Sequence, residues 1–142
     1  MTATWRLSPL VVLLACGGSQ PAPKVAASGP CADFELDVQK TWSAGVKAEV
    51  LGHGGEVEAR ERTSIVTKLD QLSDDWVRLR TATCRDHFDR KLIDADTYRR
   101  RVACFDDRLD EQRKIVAAAR ASDLAAAQKL AEAAAGAHDA CK

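Results

Sequence analysis

The last proline is Pro30. From Cys31 to Lys142 nothing forbids a helix, and apolar side chains recur there at helical rather than strand spacing. One run is Ile65, Leu69, Leu72, Trp76, Leu79 and Thr83. A second is Tyr98, Val102, Phe105, Leu109 and Val116. A shorter stripe of Phe34, Val38, Trp42 and Val46 predicts a first helix over Ala32 to Leu51. The last segment, Asp123 to Ala135, is rich in alanine, with Leu124 and Leu130 as its large anchors. Its helix propensity is high and its grip on a core is weak. Breaks fall at Gly52-His53-Gly54-Gly55 and at Asp94-Ala95-Asp96. Ser122-Asp123 reads as a cap and Gly136 as a stop. The pattern predicts an all-α fold, an antiparallel bundle of three to four helices.

The chain has five cysteines, an odd number. The first sits apart. Met1 to Arg6 carries one positive charge, and Leu7 to Ala15 is apolar except for Ser8 and Pro9, the order of a secretory signal. That apolar stretch is about half the ~20 residues of a membrane-spanning helix. It ends Leu13-Leu14-Ala15-Cys16, which resembles the lipobox of bacterial lipoproteins. The resemblance implies cleavage before Cys16, a diacylglycerol on its thiol and acylation of the new amino group. Gly17 follows in place of the aspartate of inner-membrane retention, which implies the outer membrane. Two or more acyl chains, at ~0.8 kcal/mol per buried CH₂, make a stable anchor. Gly17 to Pro30 is rich in Gly, Ser, Ala and Pro, the composition of a flexible tether. The expected organisation is a signal peptide over 1–15, a lipidated tether over 16–30 and a helical domain over 31–142.

Cys31, Cys84, Cys104 and Cys141 form an even set in a chain that reads as exported, and so predict two disulfides. Four cysteines allow three connectivities. Cys84 lies ten residues before Asp94 and Cys104 ten after. A hairpin turning at Asp94 would therefore hold them level, about 15 Å from the turn. The same mirror pairs Leu79 with Leu109 and Leu72 with Val116. Cys31 and Cys141 fall at the same pole of an up-down-up-down bundle. The expected pairing is Cys84–Cys104 with Cys31–Cys141; the two crossed pairings fit this geometry less well.

Charge excludes one class of partner. Twenty-one basic and 21 acidic residues balance, and removing Arg6 with the signal leaves the chain close to neutral. No basic field exists to draw nucleic acid. Cys84 and His87 share a helix face with Cys104 opposite, and His138 lies near Cys141, but an oxidising compartment favours disulfides over zinc at both places. There is no Glu-x-x-His for a di-iron bundle and no Cys-x-x-Cys-His for haem. Neither a metal nor a cofactor is expected. Asp106, Asp107, Asp110 and Glu111 lie among Arg99, Arg100, Arg101, Arg108, Arg113 and Lys114, the pattern of an ion-paired solvated face. Gly52 to Gly55 follows a helix and lacks the Lys-Ser/Thr of a phosphate loop. Ser43, Ser64, Ser73 and Ser122 sit in no nucleophile elbow. Nothing assembles the parts of an enzyme. Trp42 and Trp76 are the candidate lining of a ligand pocket, although helical core positions explain both.

The domain also resembles a helical segment that precedes tetratricopeptide repeats in myxobacterial-type Ser/Thr protein kinases. The matching residues are Cys31, Trp42 and Val46, then Val66, Leu69 and Trp76, Thr81 to Cys84, Arg101 to Phe105, and Ala140-Cys141. They span nearly the whole domain. The resemblance implies an extracytoplasmic sensor or interaction module, here without kinase or repeats. The resulting expectation is a non-enzymatic lipoprotein of the cell envelope that binds another envelope protein. The alternative is a periplasmic module for a small ligand or a metal.

Overall fold

A computed structural model describes residues 29–135, 137 and 141. The signal, Cys16 and most of the tether lie outside the described residues, as does His138. Five helices follow in chain order: α1 Phe34–Gln39, α2 Ala44–Gly52, α3 Glu56–Phe88, α4 Ala95–Arg120 and α5 Leu124–Ala135. No strand occurs among the described residues. The all-α bundle and its two disulfides are thus present. None of these helices is long and apolar enough to cross a membrane.

The expected first helix is two. The chain turns at Thr41 and Trp42, and Ser43 restarts it as an N-cap whose hydroxyl accepts from the Val46 amide at 3.3 Å. The turn drives Trp42 inward, to 7% exposure. Together α1 and α2 run antiparallel along α3. Phe34 meets Trp76 edge to face near the far end of α3, and Arg62 near its start reaches Val50 of α2.

α3 has 33 residues, about 50 Å of helix, and every other helix packs on it. Its inward stripe of Ile65, Val66, Leu69, Leu72 and Trp76 is buried against Phe105, Leu109, Ile115 and Val116 of α4. At ~1.5–3 kcal/mol per fully buried large apolar side chain, this seam is the main source of stability. α4 folds back from α3 through residues 89–94, and α5 folds back from α4 onto both.

α5 corrects one expectation. Leu130 is 38% exposed and anchors nothing, whereas Leu124, Ala127, Ala131 and Ala134 form the buried face. Small side chains three and four apart let α5 lie close to α3 and α4. Cys141 continues that buried face beyond the helix.

The turns explain where the helices stop. Gly54 sits at φ 93°, open to glycine without strain, and Glu58 folds over it so closely that a Cβ would collide with its carboxylate. α4 ends in a Schellman arrangement. Asp123 N–H donates to Ala118 O at 3.0 Å and Ser122 N–H to Ala119 O at 3.2 Å, with Ser122 left-handed at φ 61°. Asp123 then caps α5 by accepting from the Ala126 amide at 3.1 Å.

Asp94 caps α4 by accepting from the Thr97 amide at 2.7 Å. That amide, then the Thr97 side chain, holds the Asp94 carboxyl below its ordinary value of 3.8. A lowered folded-state pKa stabilises above the unfolded value and is lost as pH falls through the folded one. Asp94→Asn keeps a cap without the charge. The stability gap between the two proteins should therefore be steady near about pH 6 and shrink towards about pH 2.5. Urea titrations at both pH values measure it, and a gap independent of pH would discard the charge argument.

The disulfides are Cys31–Cys84 and Cys104–Cys141, with Cα separations of 5.5 and 5.6 Å. The expected pairing of Cys84 with Cys104 and Cys31 with Cys141 is wrong for a definable reason. Asp94 is the N-cap of α4, not the middle of the turn. The helices stop at Phe88 and resume at Ala95, so the hairpin's centre lies between Lys91 and Leu92. Cys104 is then level with Leu79, five residues or about 7.5 Å of helix from Cys84, beyond disulfide reach. Across the next turn, centred at Ser122, α5 folds back beside α4, and Cys141, beyond its end, bonds Cys104. Cys84 instead bonds Cys31, three residues before α1 begins.

Candidate functional site

One concavity lies between α1 and α3. It is an open groove of about 520 Å³, lined by Glu35, Val38, Trp42, Asp70, Asp74 and Val77 among others. That volume falls in the ~300–1,000 Å³ range of small-ligand sites. Val38 and Trp42 reach it because α1 turns into α2 above them, and Asp70, Asp74 and Val77 are successive turns of one α3 face. The Trp42 indole N–H donates to Asp70 Oδ1 at 2.8 Å, and the Lys47 ammonium donates to the other carboxylate oxygen. Asp70 is therefore ion-paired within the chain, at the surface of the groove. Glu35 and Asp74 form no ion pair among the described residues, while Arg78, which also lines the groove, is tied to Asp75 at 2.8 Å, so the unpaired charge of the rim is acidic over an apolar floor.

The two candidate tryptophans do not share this groove. Trp76 is 2% exposed and packs edge to face with Phe34 and Phe105, at 6.3 and 6.4 Å between centroids. Its indole N–H donates to the Phe105 carbonyl at 2.7 Å. Trp76 is core, and Trp42 alone forms part of the wall.

A second depression, about 580 Å³, lies between α3 and α5 beside Arg60, Glu61, Gln128, Lys129 and Glu132. Donation from the Gln128 amide, and then from the Lys68 ammonium, holds the Glu132 carboxyl below its ordinary range. The rim of this depression is charged, and Leu124 and Ala125 form its apolar part.

Among the described residues, those weighed for metal binding are otherwise engaged. Cys84, Cys104 and Cys141 are all in disulfides. His87 stacks on Tyr98 at 4.6 Å, with Nδ1 3.1 Å from the Ile93 carbonyl. No group of three His, Cys, Asp or Glu placed to hold a metal occurs among the described residues. In the acidic cluster of α4, Arg108 pairs with Glu111 at 2.8 Å and Arg113 with Asp110, an exposed ion-paired face.

Two buried polar residues escaped sequence reasoning. Arg62 is 1% exposed. Its Nη1 donates to Val50 O at 3.2 Å and Ala119 O at 3.3 Å, and its Nη2 to Ser122 Oγ at 3.2 Å and Glu58 Oε2 at 3.5 Å. One guanidinium thus serves the C-terminal ends of both α2 and α4, where carbonyls lack helical partners and a cation is favoured. Gln112, also 1% exposed, accepts from Ser73 Oγ at 3.3 Å behind the groove. Both residues continue an apolar stripe: Arg62 lies three before Ile65, and Gln112 lies three after Leu109. A polar side chain in a core position was the available signal.

No family model, curated protein or solved structure matches this chain.

Proposed function

We propose that this chain is a non-enzymatic lipoprotein of the cell envelope, anchored through acylated Cys16. On this reading it stands at the periplasmic face, at the outer rather than the inner membrane, and its helical domain binds another envelope protein. The observation that carries this reading is the Leu13-Leu14-Ala15-Cys16 sequence behind a signal-like apolar stretch. Two disulfides in the domain are in keeping with an oxidising compartment. The acidic rim and apolar floor beside Trp42 suit a protein partner that offers a basic side chain on an apolar stem.

The test is in-cell cross-linking of a C-terminally tagged chain, alongside metabolic labelling with an alkyne fatty acid. Label should enter the parent chain and be lost in Cys16→Ser, and one reproducible envelope protein should be captured. An unlabelled parent would remove the anchor, and isolation as a clean monomer would remove the partner. The groove also supports a second reading, a periplasmic module for a small cationic ligand. Quenching of Trp42 fluorescence by such a ligand, with no protein captured, would favour it.

A further inference from the structure

The disulfide Cys31–Cys84 fixes where the chain enters the bundle. Cys84 lies four residues before Phe88, the last residue of α3. The N-terminal segment therefore joins the domain at the pole formed by the α3–α4 turn. This pole carries apolar side chains that face water. Leu92, in the turn, is 69% exposed, and Phe88 beside it is 39% exposed. Phe88 packs edge to face on Tyr98 and His87, so its ring is held in place at the surface.

The pole is also basic. Residues 85–101 contain six Lys/Arg and four Asp/Glu. Asp86 is tied to Arg90, Asp96 to Arg99, and Asp94 to the start of α4, which leaves Asp89, and Asp33 beside Cys31, exposed and without an ion pair among the described residues. Arg85, Lys91, Arg100 and Arg101 form no ion pair among the described residues, and Arg85, Lys91 and Arg100 are exposed. The opposite pole has the reverse character. Residues 49–62 carry four glutamates against two arginines, one of them the buried Arg62. Among the described residues, the entry pole thus joins exposed apolar side chains to an excess of unpaired positive charge, four cations against Asp33 and Asp89.

We infer that this pole is a membrane-docking face, in which Leu92 and Phe88 enter an anionic phospholipid surface while the surrounding Arg85, Lys91 and Arg100 meet its phosphates. The orientation rests on the proposed Cys16 anchor. Fifteen residue steps separate Cys16 from Cys31, at most about 50 Å of chain, and they enter the domain at this pole. The anchor is therefore tied to the domain at this pole and not at the acidic one. Exposed apolar side chains ringed by Lys and Arg are suited to such a surface, where each cation near anionic headgroups adds to binding.

The experiment removes the anchor so that the pole is read alone. The mature chain, residues 16–142 with Cys16→Ser, is exported behind an ordinary cleavable signal. It is then sedimented with vesicles of phosphatidylcholine, or of phosphatidylcholine and phosphatidylglycerol in equal parts, at low salt. Partition onto the anionic vesicles should exceed that onto neutral ones by about tenfold and fall with added salt. Lys91→Glu with Leu92→Ser should lower it about tenfold, with the circular dichroism unchanged because both sites are exposed. Val57→Ser, at the other pole and 82% exposed, should leave it as it is. Equal partition onto both vesicles, or a double variant that binds like its parent, would overturn the proposal. So would a photo-cross-linker at position 92 that captures an envelope protein and no lipid. Because the tested chain carries no acyl group, failure here leaves the Cys16 labelling result standing, and failure of that labelling leaves this result standing.

Discussion

Reducing both disulfides should leave the domain largely unfolded at 37 °C. Cys31–Cys84 closes a loop with a sequence separation of 53 and Cys104–Cys141 one of 37. The chain-entropy model gives about 4 kcal/mol for each loop. A domain of this size has only about 5–15 kcal/mol in total. Both crosslinks also hold elements with little grip of their own: α1 has six residues, and α5 is mostly alanine. Thermal melts followed by circular dichroism, with and without reductant, measure the joint loss. The paired variants Cys31→Ala/Cys84→Ala and Cys104→Ala/Cys141→Ala apportion it. Less than about 1 kcal/mol for either pair would mean that the unfolded chain already keeps those segments together. Peptide mapping without reduction checks the connectivity. A peptide joining Cys84 to Cys104 would reinstate the hairpin pairing and contradict the turn geometry described above.

Arg62→Ala should be the most damaging single substitution of a polar residue, at about 3–5 kcal/mol. It empties a buried volume and leaves the carbonyls of Val50 and Ala119 without their charged donor. Arg62→Lys should recover less than half of that loss, because a single ammonium cannot span acceptors on α2, on α4 and at Ser122. The measurement is the urea midpoint at constant slope. If lysine restored full stability, the positive charge alone would matter and the fork geometry would not. Glu58 is half exposed and contributes little by comparison.

The residues show unevenly how much of this molecule was legible beforehand. α3, α4 and α5 could be read from periodicity and caps, because Gly54, Asp94 and Asp123 each have a local physical role that does not depend on the rest of the fold. The division of α1 from α2 was less visible. Ser43 is a common residue, and its capping role becomes apparent only once Trp42 is seen to turn inward. The disulfide pairing failed on a displacement of two to three residues in the turn centre. An error of that size is harmless for helix assignment and decisive for which cysteines are level. Leu130 was misplaced because a large apolar side chain was assumed to be the buried one, when the close approach of α5 requires alanine at the contact. Of the two candidate tryptophans, Trp42 lines a groove and Trp76 lies in the core. The groove itself depends on how α1 lies across α3, a long-range arrangement that no local pattern encodes.

The order of the crosslinks bears on how the molecule is made. The four cysteines pair first with second and third with fourth, and the two loops neither overlap nor nest. A chain delivered N-terminus first presents Cys31 and Cys84 before Cys104 has emerged. An oxidase that joins cysteines as they appear would therefore form the native bonds at once, with no reshuffling through a mixed disulfide. Had the second pair been nested within the first, Cys31 would have waited as a free thiol for nearly the entire chain. As built, the segment carrying α1, α2 and most of α3 can be closed while α4 and α5 are still to come.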